Sequence, residues 1–187
     1  MIYYFNGIAY SRKKNYREAE RTLEQAKKLS AGNINLLVEI NSMLGDAYNA
    51  SKDYDKSDQA YDAALGLNPN NDYVLNNYSY FLSLRKVNLD KAEKMSAQLI
   101  KSHPTNTAYL DTYAWVLFQE SKYKEAKKIM EKIVSSESAN ATHFEHYGDI
   151  LYQLGDIDEA VVQWQKAKSL HGDNEVLSKK INSRKIN

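Results

Sequence analysis

Small residues return along this chain at a nearly fixed interval: Gly7, Gly45, Ser79, Ala114 and Gly148, separated by 38, 34, 35 and 34 residues. A period near 34 is that of a helix-pair repeat, in which each unit buries its apolar face only by stacking on its neighbours. A residue with little or no side chain at a fixed place lets a neighbouring helix approach closely there. Three residues after each small position stand Tyr10, Tyr48, Leu82, Leu117 and Leu151, one turn on along the same face. One residue before come Asn6, Leu44, Tyr78, Tyr113 and Tyr147.

A second small position follows in each unit: Ala19, Ser57, Ala92, Ala126 and Ala160. Four residues later are Leu23, Tyr61, Ser96, Met130 and Trp164, then Ala26, Ala64, Leu99, Ile133 and Ala167. An i, i+4, i+7 stripe of this kind predicts an amphipathic helix packing inward. Pro69 and Pro104 stand where one helix must stop before the next begins, and Asn71, Asn106 and Asn140 are placed to cap the helices that follow.

These positions resemble the tetratricopeptide (TPR) family over nearly the whole chain. Residues 107–140, with Tyr113-Ala114, Leu117, Tyr123 and Ala126, carry the resemblance best, followed by 141–174 with Tyr147-Gly148, Leu151, Ala160, Trp164 and Ala167. It implies an all-α, right-handed superhelical solenoid of about five helix-turn-helix units, near 1–33, 38–71, 72–106, 107–140 and 141–174. A capping helix near 174–187 closes it. Ser57 in place of Ala, and Asn6 and Asn41 in place of apolar residues, depart from the pattern. The first spacing of 38 predicts a longer first helix in the second unit. Pentatricopeptide RNA binders have a similar period, but the small/aromatic pattern and the near-neutral charge argue against them. At the N-terminus Ile2, Phe5 and Ala9 have no preceding helix to pack on, so the chain reads as the C-terminal part of a longer array.

Composition limits the chemistry. A net charge of +1 gives no reason for a nucleic-acid partner, and the basic runs at Arg12–Lys14 and Lys179–Lys185 read as solvated surface. Cysteine is absent, and no apolar run approaches the ~20 residues that would cross a bilayer. His143 and His146 are three apart, unlike the His-Glu-x-x-His spacing of zinc helices, and no cysteine is nearby, so they read as polar helix residues and no metal or cofactor is expected. His103 and His171 read as solvent-facing. Phosphate loops and nucleophile elbows are missing, so no enzyme is expected.

In TPR arrays the first helices line a concave groove, reached by residues just after and three before the small position. The resemblance therefore points to Tyr80, Trp115 and Asp149, with Asn76, Asp111 and Glu145 one turn earlier. The same face adds Tyr73, Asn77, Thr112, Phe118, Gln119 and Tyr152. Rings beside Asn, Asp and Gln make a peptide-recognition surface, so the expected partner is another protein. Some TPR domains grip a chaperone's C-terminal carboxylate with Lys, Arg and Asn. Here the matching positions hold Asp46, Asn76, Asn77, Asp111, Thr112 and His146, without the cations. Self-association through the exposed N-terminal helix pair, giving a homodimer, is the alternative. A looser likeness of 75–126 to TPR proteins of bacterial envelopes points to the periplasm, with the cytoplasm as the other compartment.

Overall fold

A computed structural model describes residues 1–170 and 174–186, together with the backbone but not the side chain of His171. The expectations for the His171 side chain and for Asn187 lie outside the described residues. Within them the chain is helical without a strand: α1 (Ile2–Arg12), α2 (Tyr16–Leu29), α3 (Ile34–Ser51), α4 (Tyr54–Leu67), α5 (Asp72–Arg85), α6 (Leu89–Ser102), α7 (Thr107–Gln119), α8 (Tyr123–Val134), α9 (Ala141–Gln153), α10 (Ile157–His171) and α11 (Glu175–Ser183). None of these helices is long and apolar enough to cross a membrane.

The chain divides into two compact units, Met1–Phe81 and Leu82–Asn187. In the first, α1 packs on α2, α2 on α3 and α3 on α4. Leu23, Ala26, Ile40, Leu44, Tyr48 and Ala60 form a buried cluster there. α3 runs 18 residues, which takes up the long first spacing. In the second unit the succession runs from α6 to α11, each helix on the next. Its core includes Ala114, Leu117, Met130, Ile133, Leu151, Trp164 and Leu177.

Each first helix turns into its second by the same device. Lys14, Lys52, Lys86, Ser121 and Gly155, all seven residues after the small position, have φ of 57°, 67°, 55°, 63° and 86°. The next residue's N–H then donates to a carbonyl five residues back: Asn15 to Tyr10, Asp53 to Tyr48, Val87 to Leu82, Lys122 to Leu117 and Asp156 to Leu151. That bond satisfies a carbonyl the helix end leaves open, which offsets the strain of a left-handed residue. Four of the five turns manage without glycine, so the turn was invisible to a search for glycine. The predicted asparagine caps are present: Asn71, Asn106 and Asn140 accept from Val74, Ala108 and His143 respectively.

The small positions answer to the residue sixteen places on. A Cβ on Gly45 would lie 2.6 Å from the Tyr61 ring, and one on Gly148 would lie 2.5 Å from Trp164. Gly7 is likewise pressed by Leu23. Ala114, by contrast, shares its core with Met130, an unbranched side chain that bends around a methyl group. Glycine stands opposite the rigid or branched side chain, and alanine opposite the flexible one.

Candidate partner-binding faces

In the first unit the polar centre is Asp46, one residue after Gly45 on α3. Its carboxylate accepts from the hydroxyls of Tyr61 on α4 and Tyr73 on α5, and from the Asn77 amide at 3.5 Å. Burial pushes this carboxyl above its ordinary range, with the three hydrogen bonds pulling the other way. Tyr73 is 51% exposed. Asn76 is half-buried and donates to Asn77 Oδ1 at 3.3 Å, while its own Oδ1 has no partner. Tyr80 is half-buried, its ring 6.0 Å from that of Phe81.

In the second unit an aromatic stack joins α7 to α9. Trp115 lies 4.7 Å from Phe118 at 13° between planes, and 4.1 Å from the His146 imidazole at 19°. His146 Nδ1 is 2.9 and 3.1 Å from the Asp111 oxygens. A carboxylate only accepts, so the bond places a proton on Nδ1. The Trp115 indole N–H is buried and has no acceptor. Phe118, Gln119 and Tyr152 are half-buried, and Tyr152 is tilted 6.0 Å from Trp164.

The other polar centre of this unit is Asp149, one residue after Gly148. It takes the Trp164 indole N–H at 2.9 Å and the Lys180 ammonium at 2.9 Å from both oxygens. Lys180 also reaches Glu145 at 2.8 Å. Burial pulls the Lys180 pKa down, but Asp149 and Glu145 outweigh it and hold the ammonium above its ordinary range.

Three of the residues that the sequence pointed into a groove are therefore not open to a partner. Asp111, Thr112 and Asp149 are buried, at 9%, 5% and 5% exposure. Asp111 and Asp149 are taken by cross-helix bonds, because a carboxylate in a closed helix interface must find donors there. Lys180 is no solvated cation, and His146 is a buried bridging residue. His103 is half-buried, with its ring against Tyr109 at 5.5 Å. Sequence reasoning left Tyr61, Trp164 and Lys180 out of the site, and met His146 only among the positions that match carboxylate-gripping TPR domains. The signal was there: Asp46–Tyr61 and Asp149–Trp164 are both fifteen apart, and Asp46–Asn77 and Asp149–Lys180 both thirty-one.

His143 completes a capping box: its backbone N–H donates to Asn140 Oδ1, and its Nδ1 accepts from the Asn140 N–H. Glu or Gln usually fills this place, and imidazole can fill it only with Nδ1 unprotonated. Burial lowers the His143 pKa from 6.5; Asp111 pulls it up and His146 pushes it further down. A folded-state pKa below the unfolded one means stability is present above pH 6.5 and lost as pH falls through the folded value. Thermal melts between pH 7.5 and 5 should show this acid loss, and His143→Gln, which keeps the box, should flatten it. An equal loss in the variant removes His143 as the source. Among the described residues no group of three or more His, Asp or Glu is placed to hold a metal ion.

The family model for the tetratricopeptide repeat matches residues 2–33 and 38–71, the helix pairs α1–α2 and α3–α4. A second, described as anaphase-promoting complex, cyclosome, subunit 3, matches 85–167. Together with the helix pairs that continue through α10, this decides the family. The chain is a tetratricopeptide-repeat protein. Solved structures share the TPR fold along almost its full length. PilW, a widely conserved type IV pilus biogenesis factor, aligns with a TM-score of 0.82 at 18% identity, covering 98% of this chain and 84% of that one. MamA from Desulfovibrio magneticus RS-1 gives 0.77 at 17%, covering 93% and 96%. A thermophilic TPR protein of Thermus thermophilus gives 0.72 at 14%, covering 97% and 96%. No curated protein sequence matches the array.

Proposed function

We propose that this TPR array is a non-enzymatic scaffold that holds an extended segment or helix of another protein against its first helices. Arrays of stacked helix pairs act as interaction scaffolds, and the repeats of this chain are of that kind. The observation that carries the reading is the Trp115 stack. A large ring is fixed between two helices by Phe118 and His146 and stays partly open to solvent. Such a ring is held in place before binding, so little ordering is lost when a partner arrives. Phe118, Gln119, Glu145 and Tyr152 are its proposed surroundings in the second unit, and Tyr73, Asn76, Asn77 and Tyr80 are the contacts proposed for the first unit by itself.

The test starts from a partner captured on the immobilised protein and identified by mass spectrometry. Trp115→Ala should then weaken its binding by roughly thirtyfold, the factor that corresponds to ~2 kcal/mol for a Trp hot spot. Leu117→Ala is the contrast: it empties a fully buried site, should cost ~2–5 kcal/mol of stability, and should affect binding only through unfolding. Unchanged affinity in Trp115→Ala, or unfolding as severe as that of Leu117→Ala, removes the assignment. Self-association is the second reading. It rests on α1, where Ile2 and Phe5 are 71% and 57% exposed, and its mark is a mass that rises with concentration.

A further inference from the structure

Asp46 and Asp149 occupy the same repeat position, and each accepts from the aromatic residue fifteen places on. Thirty-one places on, their partners differ. Asp149 meets the ammonium of Lys180, which α11 delivers; Asp46 meets only the amide of Asn77. The second unit thus holds a complete cation site. Two carboxylates, Asp149 and Glu145, bind the ammonium, and the Trp164 ring centroid lies 6.0 Å from it.

The first unit has the carboxylate and the ring but not the cation. Among the described residues the groups acting on Asp46 are Tyr61, Tyr73 and Asn77, with no lysine or arginine. Nor do the first helices supply one: α1, α3 and α5 contain no lysine, and Arg12 and Arg85 stand at the ends of theirs. The fold has already removed much of the water from this carboxylate, so an arriving cation meets a poorly hydrated anion. Tyr73, half in solvent, can yield its acceptor oxygen to a charged donor, whose bond is roughly twice as strong as a neutral one.

We infer that Asp46, framed by Tyr61 and Tyr73, is the docking point for a lysine or arginine side chain of the segment this array binds. The inference rests on the protein-binding reading and adds a charge to the partner. Lys180 shows, within the same chain, the geometry such a side chain adopts: ammonium on the carboxylate and over the face of the aromatic ring.

A fluorescein-labelled peptide of five Ala-Ala-Lys triplets tests it by anisotropy at low salt, with five Ala-Ala-Glu triplets as the opposite charge. The lysine peptide should bind and the glutamate peptide should not. Asp46→Asn should weaken the lysine peptide by about tenfold, and Asp55→Asn, at an exposed position on α4, should leave it within about twofold. Asn77→Lys supplies the missing ammonium from within, as Lys180 does for Asp149. It should raise the melting temperature and abolish peptide binding, so the inference stays testable even if Asp46→Asn unfolds. No binding by the wild type, equal binding of both peptides, equal losses in Asp46→Asn and Asp55→Asn, or undiminished binding in Asn77→Lys each overturns it. Those outcomes leave the Trp115 experiment untouched, and only that experiment decides whether the first helices bind a protein at all.

Discussion

Lys180→Ala should cost about 3–5 kcal/mol of stability, the loss expected when one partner of a buried ion pair is removed. The side chains of Lys180 and Asp149 are 8% and 7% exposed, so water cannot replace the ammonium once it is gone. Asp149 would then face Glu145 with, among the described residues, only the Trp164 indole donating to it. Lys180→Met keeps the stem packed and should still lose most of that stability, because the uncompensated charge and not the lost contact area is the cause. Adding Asp149→Asn to Lys180→Met should recover about 2 kcal/mol, since the amide carries no charge and its oxygen still accepts from Trp164. Denaturant titration of the four proteins measures this, and hydrogen exchange should show α11 losing protection first. A Lys180→Ala loss below about 1 kcal/mol would mean the pair is hydrated in solution.

Gly148→Ala should cost about 3 kcal/mol although it adds one methyl group to a helix, where alanine is otherwise favoured by about 1 kcal/mol. The new Cβ would lie 2.5 Å from Trp164 Cδ1 and Nε1 and 3.0 Å from the Ala160 carbonyl. Trp164 is fully buried and tied to Asp149, and the carbonyl is backbone, so neither can give way cheaply. Ala114 and Met130 show the other solution within the same fold. In a Trp164→Met background the glycine-to-alanine change should therefore cost less than about 1 kcal/mol, a coupling near 2 kcal/mol between the sites. Additive effects in that cycle would show that the clash is relieved elsewhere.

The inward stripes and the asparagine caps were legible in the sequence because each depends on residues close together along one helix, and the period because the same residue types return in every unit at an almost constant interval. The long α3 was legible for the same reason, from four extra residues in one interval. Asp111, Thr112 and Asp149 were misplaced because spacing tells which way a side chain starts, not whether another helix closes over it. Whether a carboxylate is open or taken depends on groups about fifteen to thirty-five residues away, on the next helix or two. Lys180 was unreadable on its own: in a basic, polar terminal run it looks like its neighbour Lys179, which is exposed and paired only within its helix. Turns at Lys14, Lys52, Lys86 and Ser121 escaped notice because a left-handed residue without glycine leaves no mark in composition.

The matching of glycine to the residue sixteen places on bears on how such a chain can be rearranged. The unit of exchange is the complete pair, first helix with its own second helix. A crossover within the turn would set the Ala114 helix against Trp164, or the Gly148 helix against Met130, leaving a collision in one product and a hollow in the other. Crossovers between pairs keep each glycine with the side chain it accommodates. Duplication, deletion or engineered insertion should therefore succeed in segments that start just before a first helix and end just after its second, and a library of shuffled half-pairs should yield few folded members.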